Sequence, residues 1–458
     1  MTLINKFLPL LLGFFSLQTI AAYQLPEYEK VALDNGLTLY LMSQREVPLI
    51  DVSLVVKTGA INDGRLAGLS RLTAENIAMG SRDLSKSQLE SKLDFIGADL
   101  YNTSNLEFSQ LGASFAAKDK EQVLTILRDL ALAPRFDADE FNRFKKRHLL
   151  EIEQNKESPK SVIDQYFNRQ LFGATGYGAN SMGNADSIAA ITLADAKAYH
   201  AHWYQPKNAA VIAVGDFTVR DMKKQLIDLF SRWENHTAIP ATADTAIPPL
   251  TRPKVLLVNK DDAIESTFLI GGRGIRYSNP DRVGILVINT ILGGRFTSWL
   301  NDELRVNAGL TYGAGSDFTS YGKGGKFTIA TFTKTETTEQ AMDLALKTYH
   351  RLWQQGIDEQ TLASAKAYVK GQFPPKFETS SQLADLLASM YGYGFDESYI
   401  NNFEQQVSSL TVEKTKQLIN QYFPRENLQF VVIGKAEKIR NKIAKYGQVT
   451  EIDIKDAG

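Results

Sequence analysis

The chain has 458 residues, 43% hydrophobic and 22% charged, with 51 basic against 52 acidic residues and a formal charge of -1. That composition fits a folded globular protein long enough for two or more full cores, with no charge excess to favour nucleic acid or an anionic membrane surface. The absence of cysteine excludes disulfides, thiolate metal sites and cysteine nucleophiles.

"MTLINKFLPLLLGFFSLQTIAA" opens with one lysine, an apolar run from Phe7 to Leu17, and small residues at Ala21 and Ala22. That order predicts a signal peptide over residues 1–22 and a soluble exported protein, periplasmic in a diderm bacterium. The run is shorter than the ~20 residues that span a bilayer. "LTLYLMSQ" and "DVSLVVKTG" alternate as strands. "AGLSRLTAENIAMGS" (67–81) and "QLESKLDFIG" read as helices, and "DLYNTSNLEFSQLGASF" as strand again. "KEQVLTILRDLAL" has helical spacing at Val123, Leu124, Leu127 and Leu130. "FDADEFNRFKK" starts a further helix with aspartate near its first turn. "ITLADAKAYHAHWYQPKNAAVIAVGD" (191–216) reads as helix, break and buried strand ending at glycine. A stretch rich in proline, alanine and threonine follows without apolar periodicity, which predicts an extended linker over residues 235–252.

Beyond the linker the pattern returns. "LTVEKTKQLINQYFPRENLQFVVIGK" (410–435) sets Thr411 against Thr192, Lys416 against Lys197, Asn427 against Asn208 and Gly434 against Gly215. "IDEQTLASAKA" (357–367) matches "FDADEFNRFKK" (136–146). Residues 23–234 and 253–458 are thus expected to be two copies of one unit of about 200 residues. Their runs of strands and helices predict an α+β fold, with helices packed on one face of a largely antiparallel sheet. "GKGGK" (322–326) lacks a phosphate loop's spacing and reads as a hairpin turn.

The 67–81 helix poses a chemical question. Its Gly68, Arg71, Ala74 and Glu75, then Gly80-Ser81, resemble the Gly-x-x-His-x-x-Glu-His zinc helix of the pitrilysin-like (inverzincin) peptidases. The resemblance covers essentially the whole mature chain, including "KVALDNGLTLYLMSQREVPLIDVSLVVKTGAIND" and the duplication. Aligned without a gap, Arg71 stands at the first histidine, Ala74 at the catalytic glutamate and Glu75 at the second histidine. The family's third ligand, a glutamate on a distant helix, falls on Glu151. A zinc peptidase needs two neutral imidazoles on the metal and a carboxylate base for the bound water. Arginine cannot become a ligand and alanine cannot be a base. This chain is therefore expected to hold no metal, with Arg71 in the cation's place bridging Glu75 and Glu151. His148 shares a helix face with Glu151, but His200, His202, His236 and His350 supply no third ligand.

"LGGRFTSWLNDELRVNAGLTYGAGSDF" resembles the family stretch in which an arginine and a tyrosine seven residues apart project towards substrate. Here they are Arg305 and Tyr312. The resemblance implies that Arg305 donates hydrogen bonds to peptide carbonyls and Tyr312 to the oxyanion formed during attack. It also implies peptide binding along a sheet edge near residues 97–108, where Tyr101 replaces a small or amide residue. In bacterial two-subunit members one chain carries the zinc helix and its relative the Arg/Tyr pair. The implied function is that of a non-catalytic subunit of a heteromeric periplasmic zinc metallopeptidase, with zinc in the partner. The alternative is a peptide-binding or structural homodimer without peptidase activity.

Overall fold

The computed structural model describes residues 23–239 and 248–455. The expected signal peptide and the middle of the expected linker lie outside the described residues. In the first unit β1 (Glu29–Ala32), β2 (Thr38–Ser43), β3 (Leu49–Val56), β4 (Asp99–Ser104), β5 (Ser109–Ala116) and β6 (Ala209–Gly215) form one sheet. Their order is β1-β2-β6-β3-β5-β4, and only β2 and β6 run parallel. In the second unit β7 (Lys254–Asn259), β8 (Glu265–Arg273), β9 (Ala314–Ser320), β10 (Gly325–Lys334), β11 (Gln429–Gly434) and β12 (Gln448–Asp453) form another. Its order is β12-β7-β11-β8-β10-β9, with β7 parallel to both β11 and β12. Five strands follow the same order in both sheets. The sixth comes from the start of the chain in one unit and from its end in the other.

The duplication reaches individual polar contacts. Thr192 and Thr411 hydroxyls accept from the N–H of Asp195 and Lys414, at 3.2 and 3.1 Å, and so cap matching helices. Asp137 and Asp358 cap Ala138–Asn155 and Glu359–Gly371 in the same way, since a side-chain oxygen there satisfies orphan N–H groups of the first turn. Lys145 Nζ donates to Ala189 O and Ile191 O at 2.7 and 2.6 Å. Its counterpart Lys366 donates to Ser408 O and Leu410 O at 2.7 and 2.8 Å. The 322–326 stretch is the β9–β10 hairpin turn, closed by Tyr321 N–H to Gly324 O at 2.7 Å.

Side chains alternate across each sheet. Ile50, Val52, Leu54 and Val56 of β3 enter the core with Val123, Leu124, Leu127 and Leu130 of the Lys120–Leu132 helix. The opposite face, with Val55 of β3 and Ala210, Ile212 and Val214 of β6, is covered by the Ser380–Tyr393 helix of the second unit through Leu383, Leu387 and Met390. The exchange is mutual. The Pro159–Phe172 helix of the first unit lays Val162, Ile163, Tyr166 and Phe167 on Leu269 of β8 and on Val431 and Ile433 of β11. Each fully buried aliphatic or aromatic side chain in such a seam stabilises it by about 1.5–3 kcal/mol. A polar tie joins the same units: the Glu107 carboxylate accepts from Tyr177 Oη at 2.8 Å and from Gly322 N at 2.9 Å.

Candidate functional site

The Leu69–Ile77 helix begins at Gly68, whose φ of 91° is a left-handed conformation that suits glycine. A side chain there would also meet Ile188 Cδ1 at 2.6 Å. The first turn is capped from outside by Asp63. Its carboxylate accepts from Gly68 N at 2.8 Å, Ser70 N at 2.9 Å and Ser70 Oγ at 3.2 Å. Leu69, Ser70, Leu72, Thr73, Ala74, Asn76 and Ile77 are all buried. Only the stripe of Arg71, Glu75 and Ala78 reaches partly into solvent.

Burial raises the Asp63 pKa to about 7, and the bonds from Ser70 and Gly68 only partly oppose it. Its unfolded value is about 4. A carboxyl raised in this way stabilises the fold fully below pH ~4, and that contribution is lost as pH rises through about 7. The urea midpoint is therefore expected to fall between pH 4 and 7 in the wild type more steeply than in Asp63→Asn. Parallel curves for the two proteins would show that this carboxyl ionises in its ordinary range.

Across from the stripe, Glu151 on the Ala138–Asn155 helix faces Arg71, with Oε1 3.5 Å from Nη2. That is an ion pair looser than a charge-assisted hydrogen bond. Its other oxygen, Oε2, lies 3.0 Å from Nδ1 of buried His148, whose Nε2 meets Met182 O at 2.7 Å. The imidazole satisfies both oxygen acceptors when it carries both protons. Glu151 is thus held by a guanidinium on one side and an imidazole on the other. The expected second arm is not formed: among the described residues no ion pair joins Arg71 to Glu75, and Arg71 Nε is buried without a hydrogen-bond partner. The reason is directional. The Arg71 guanidinium is drawn across to Glu151 on the facing helix and away from its neighbour one turn along.

This donor set does not fit zinc. It offers no histidine pair, an alanine where a base belongs, and a carboxylate already engaged by the Arg71 guanidinium and the His148 imidazole. Among the described residues no group of three or more His, Asp or Glu side chains is placed to hold a metal ion. The other histidines do not converge. His200 Nε2 donates to Ala131 O at 2.8 Å, with its pKa lowered to about 4 by burial, and His202 lies 3.4 Å from Thr237 Oγ1.

In the second unit, the chain after Ser298 makes a short helix, Trp299–Asn301, and then a π-helical turn, Asp302–Asn307, that carries Arg305. Such turns recur at functional sites. Gly309, at φ 63°, reverses the chain towards Tyr312. Threonines of β10 pin the loop: Thr333 Oγ1 donates to Leu310 O at 2.7 Å and Thr331 Oγ1 to Gly313 O at 2.8 Å. Tyr312 projects from this held loop and is 81% exposed. Its ring lies 6.4 Å from that of Phe332, and the Arg305 guanidinium sits 4.7 Å from the exposed Phe296 ring. Arg305 forms no ion pair and Tyr312 Oη no hydrogen bond among the described residues. Nor does any hydrogen bond, ion pair or ring contact there join this pair to Arg71, Glu75 or Glu151.

β4 is an edge strand. Tyr101 belongs to that strand, opposite Gly112 of β5. Its ring lies flat on the sheet over Gly112, where an added Cβ would meet its Cζ and Oη at 2.5 Å. Burial raises the phenol's pKa. Asn102 is partly buried, and its Nδ2 has no hydrogen-bond partner.

Comparison with known proteins bears on this arrangement. Residues 40–185 match the insulinase family, peptidase family M16, and residues 190–369 match the peptidase M16 inactive domain. The chain is 21% identical over 388 residues to a protein of Helicobacter pylori named non-peptidase homolog YmxG, covering 83% of this chain and 87% of that one. It is 22% identical over 408 residues to zinc protease PqqE of the same organism, covering 87% and 91%. Its fold is similar to a peptidase M16 inactive domain from Pseudomonas fluorescens, with a TM-score of 0.83 and 25% identity over 89% of this chain and 98% of that one. A Helicobacter pylori protease gives a TM-score of 0.83 at 22% identity, over 89% and 100%. The chain belongs to the M16, pitrilysin-like, peptidase family, among its members that lack the zinc-binding histidines.

Proposed function

We propose that this protein is the non-catalytic subunit of an exported, heteromeric zinc metallopeptidase. Its partner would be a pitrilysin-like chain with an intact zinc helix. One observation carries the reading: Tyr312 stands exposed on a pinned loop, with Arg305, in no ion pair among the described residues, seven residues before it, in a chain that has Arg71, Ala74 and Glu75 at the zinc-helix positions. Arg305 donates hydrogen bonds to peptide carbonyls of a substrate held in the shared chamber. Tyr312 donates its phenolic hydrogen bond to the oxyanion as charge develops there. The partner supplies the zinc and its general base. A named zinc protease and a named non-peptidase homolog, both similar to this chain, occur in one organism, which supports a division of labour between two chains. Residues 1–22 support export to the periplasm by their resemblance to a signal peptide.

The test is zinc content and peptidase activity of the mature chain, alone and mixed with a zinc-helix relative. No zinc and no cleavage alone, with cleavage on mixing, is the expected result. Stoichiometric zinc and cleavage by this chain alone would overturn it. The β4 edge favours one second reading, a homodimer that holds peptides by strand addition without cutting them. Peptide binding by the chain alone, with mixing producing no cleavage, would select it.

A further inference from the structure

The Pro159–Phe172 helix brings one charge of the first unit to the loop that carries Tyr312. Lys160, at its second position, is exposed, and its Nζ sits 3.3 Å from the centroid of the Phe332 ring. Phe332 lies on β10 between Thr331 and Thr333, whose hydroxyls hold that loop, and its ring is the one beside Tyr312. The ammonium is thus no farther from the Tyr312 ring than 3.3 and 6.4 Å laid end to end. That limit is close to the ~10 Å over which charges still act on one another in 0.1 M salt.

The carboxylates nearest to Lys160 along its own chain are committed elsewhere. Glu157, three residues before it, lies 3.0 Å from Lys260 Nζ. Asp164, one helical turn after it, pairs with the buried Lys326 of β10. Both of those lysines belong to the second unit, so the packing of the units takes away the partners that the helix would otherwise give Lys160. Among the described residues its Nζ enters no ion pair and no hydrogen bond, and the Asp302 and Glu303 carboxylates, on the turn that carries Arg305, enter no ion pair either. An aromatic face attracts a cation without neutralising it or using up its three N–H donors. Lys160 therefore presents a whole positive charge beside the exposed Tyr312.

We propose that Lys160 is a specificity-determining residue that receives a carboxylate of the peptide being cut. The inference rests on the reading of Tyr312 as the oxyanion donor, and it names the substrate class. An extended peptide advances about 3.3–3.6 Å per residue, so the favoured peptides carry an acidic group about two or three residues from the scissile bond. That group is the side chain of an aspartate or glutamate, or the peptide's own C-terminus at the same distance.

The experiment uses the chain reconstituted with a zinc-helix relative and fluorescent, internally quenched peptides of one sequence. Each carries a single glutamate in place of glutamine at successive positions, with the C-terminus amidated or free. Glutamate at the favoured position is expected to raise kcat/KM about fivefold over glutamine, through KM, and by less at high salt. A gain in amidated peptides identifies the side chain as the carboxylate, and a gain confined to free C-termini identifies the terminus. Lys160→Gln is expected to abolish the preference and Lys160→Glu to turn it into a penalty. Tyr312→Phe lowers kcat for every peptide and leaves the preference in place, so the roles of Tyr312 and Lys160 fail separately. Fluorescence anisotropy of the same peptides with the chain alone makes the comparison without cleavage. A glutamate preference that persists in Lys160→Gln, no preference in either cleavage or binding, or weaker association with the relative as the sole effect of Lys160→Gln would each overturn the proposal.

Discussion

In a reconstituted pair with a zinc-helix relative, Tyr312→Phe is expected to lower kcat by about a hundredfold while KM changes little. The substitution removes one oxygen that makes no hydrogen bond among the described residues, and it leaves the ring beside Phe332 in place. The loss falls on the transition state, where an oxyanion exists to receive the bond, and not on the ground state. Arg305→Ala differs in kind, because a guanidinium that binds peptide carbonyls also binds substrate before attack. Its KM is therefore expected to rise together with the fall in kcat. Steady-state kinetics at constant zinc content separate the two. An unchanged kcat in both variants would remove the pair from the chemistry and favour the non-cleaving homodimer.

The second large effect is a gain of metal. Arg71→His, Ala74→Glu and Glu75→His made together are expected to turn a chain that keeps no zinc through dialysis into one that keeps a full equivalent, read by atomic absorption. Positions 71 and 75 already share the half-open stripe of their helix, and Glu151 already stands 3.5 Å from the Arg71 guanidinium. His148 would remain hydrogen-bonded to Glu151, the kind of support that ligating carboxylates commonly have. Arg71→His alone supplies one imidazole and is expected to bind nothing durably. A triple variant with native helix content and no zinc would mean that Glu151 cannot reach the position that a third ligand requires.

Much of the fold was legible because its signals are local. Apolar spacing from Val123 to Leu130 marked a helix, alternation in "DVSLVVKTG" marked β3, and the Thr192/Thr411 match marked equivalent helix starts. Even the Lys145/Lys366 correspondence stood in the aligned segments, although nothing in them named carbonyl groups as the partners. What escaped depends on long-range geometry. No pattern within "SSQLADLLASMYGY" says that it will cover the other unit's sheet rather than its own. The partner of His148 Nε2 is the backbone oxygen of Met182, an acceptor that every residue carries and no side chain announces. The bridge from Arg71 to Glu75 was drawn from sequence spacing, and failed because spacing does not report which way a long side chain leans.

The exchange of helices across the two units has a mechanical consequence. A half expressed alone would leave one face of its sheet bare, so neither half is a building block that can be used without the other. Helices packed across both units oppose a jaw-like opening within the chain. If this chain is one subunit of a heteromeric peptidase that opens to admit peptides, as proposed above, the pivot would lie between the subunits. Tyr312 would then reach its target through the angle at which the whole molecule docks, and substitutions at the subunit boundary, remote from any reacting atom, would set how often that angle is achieved.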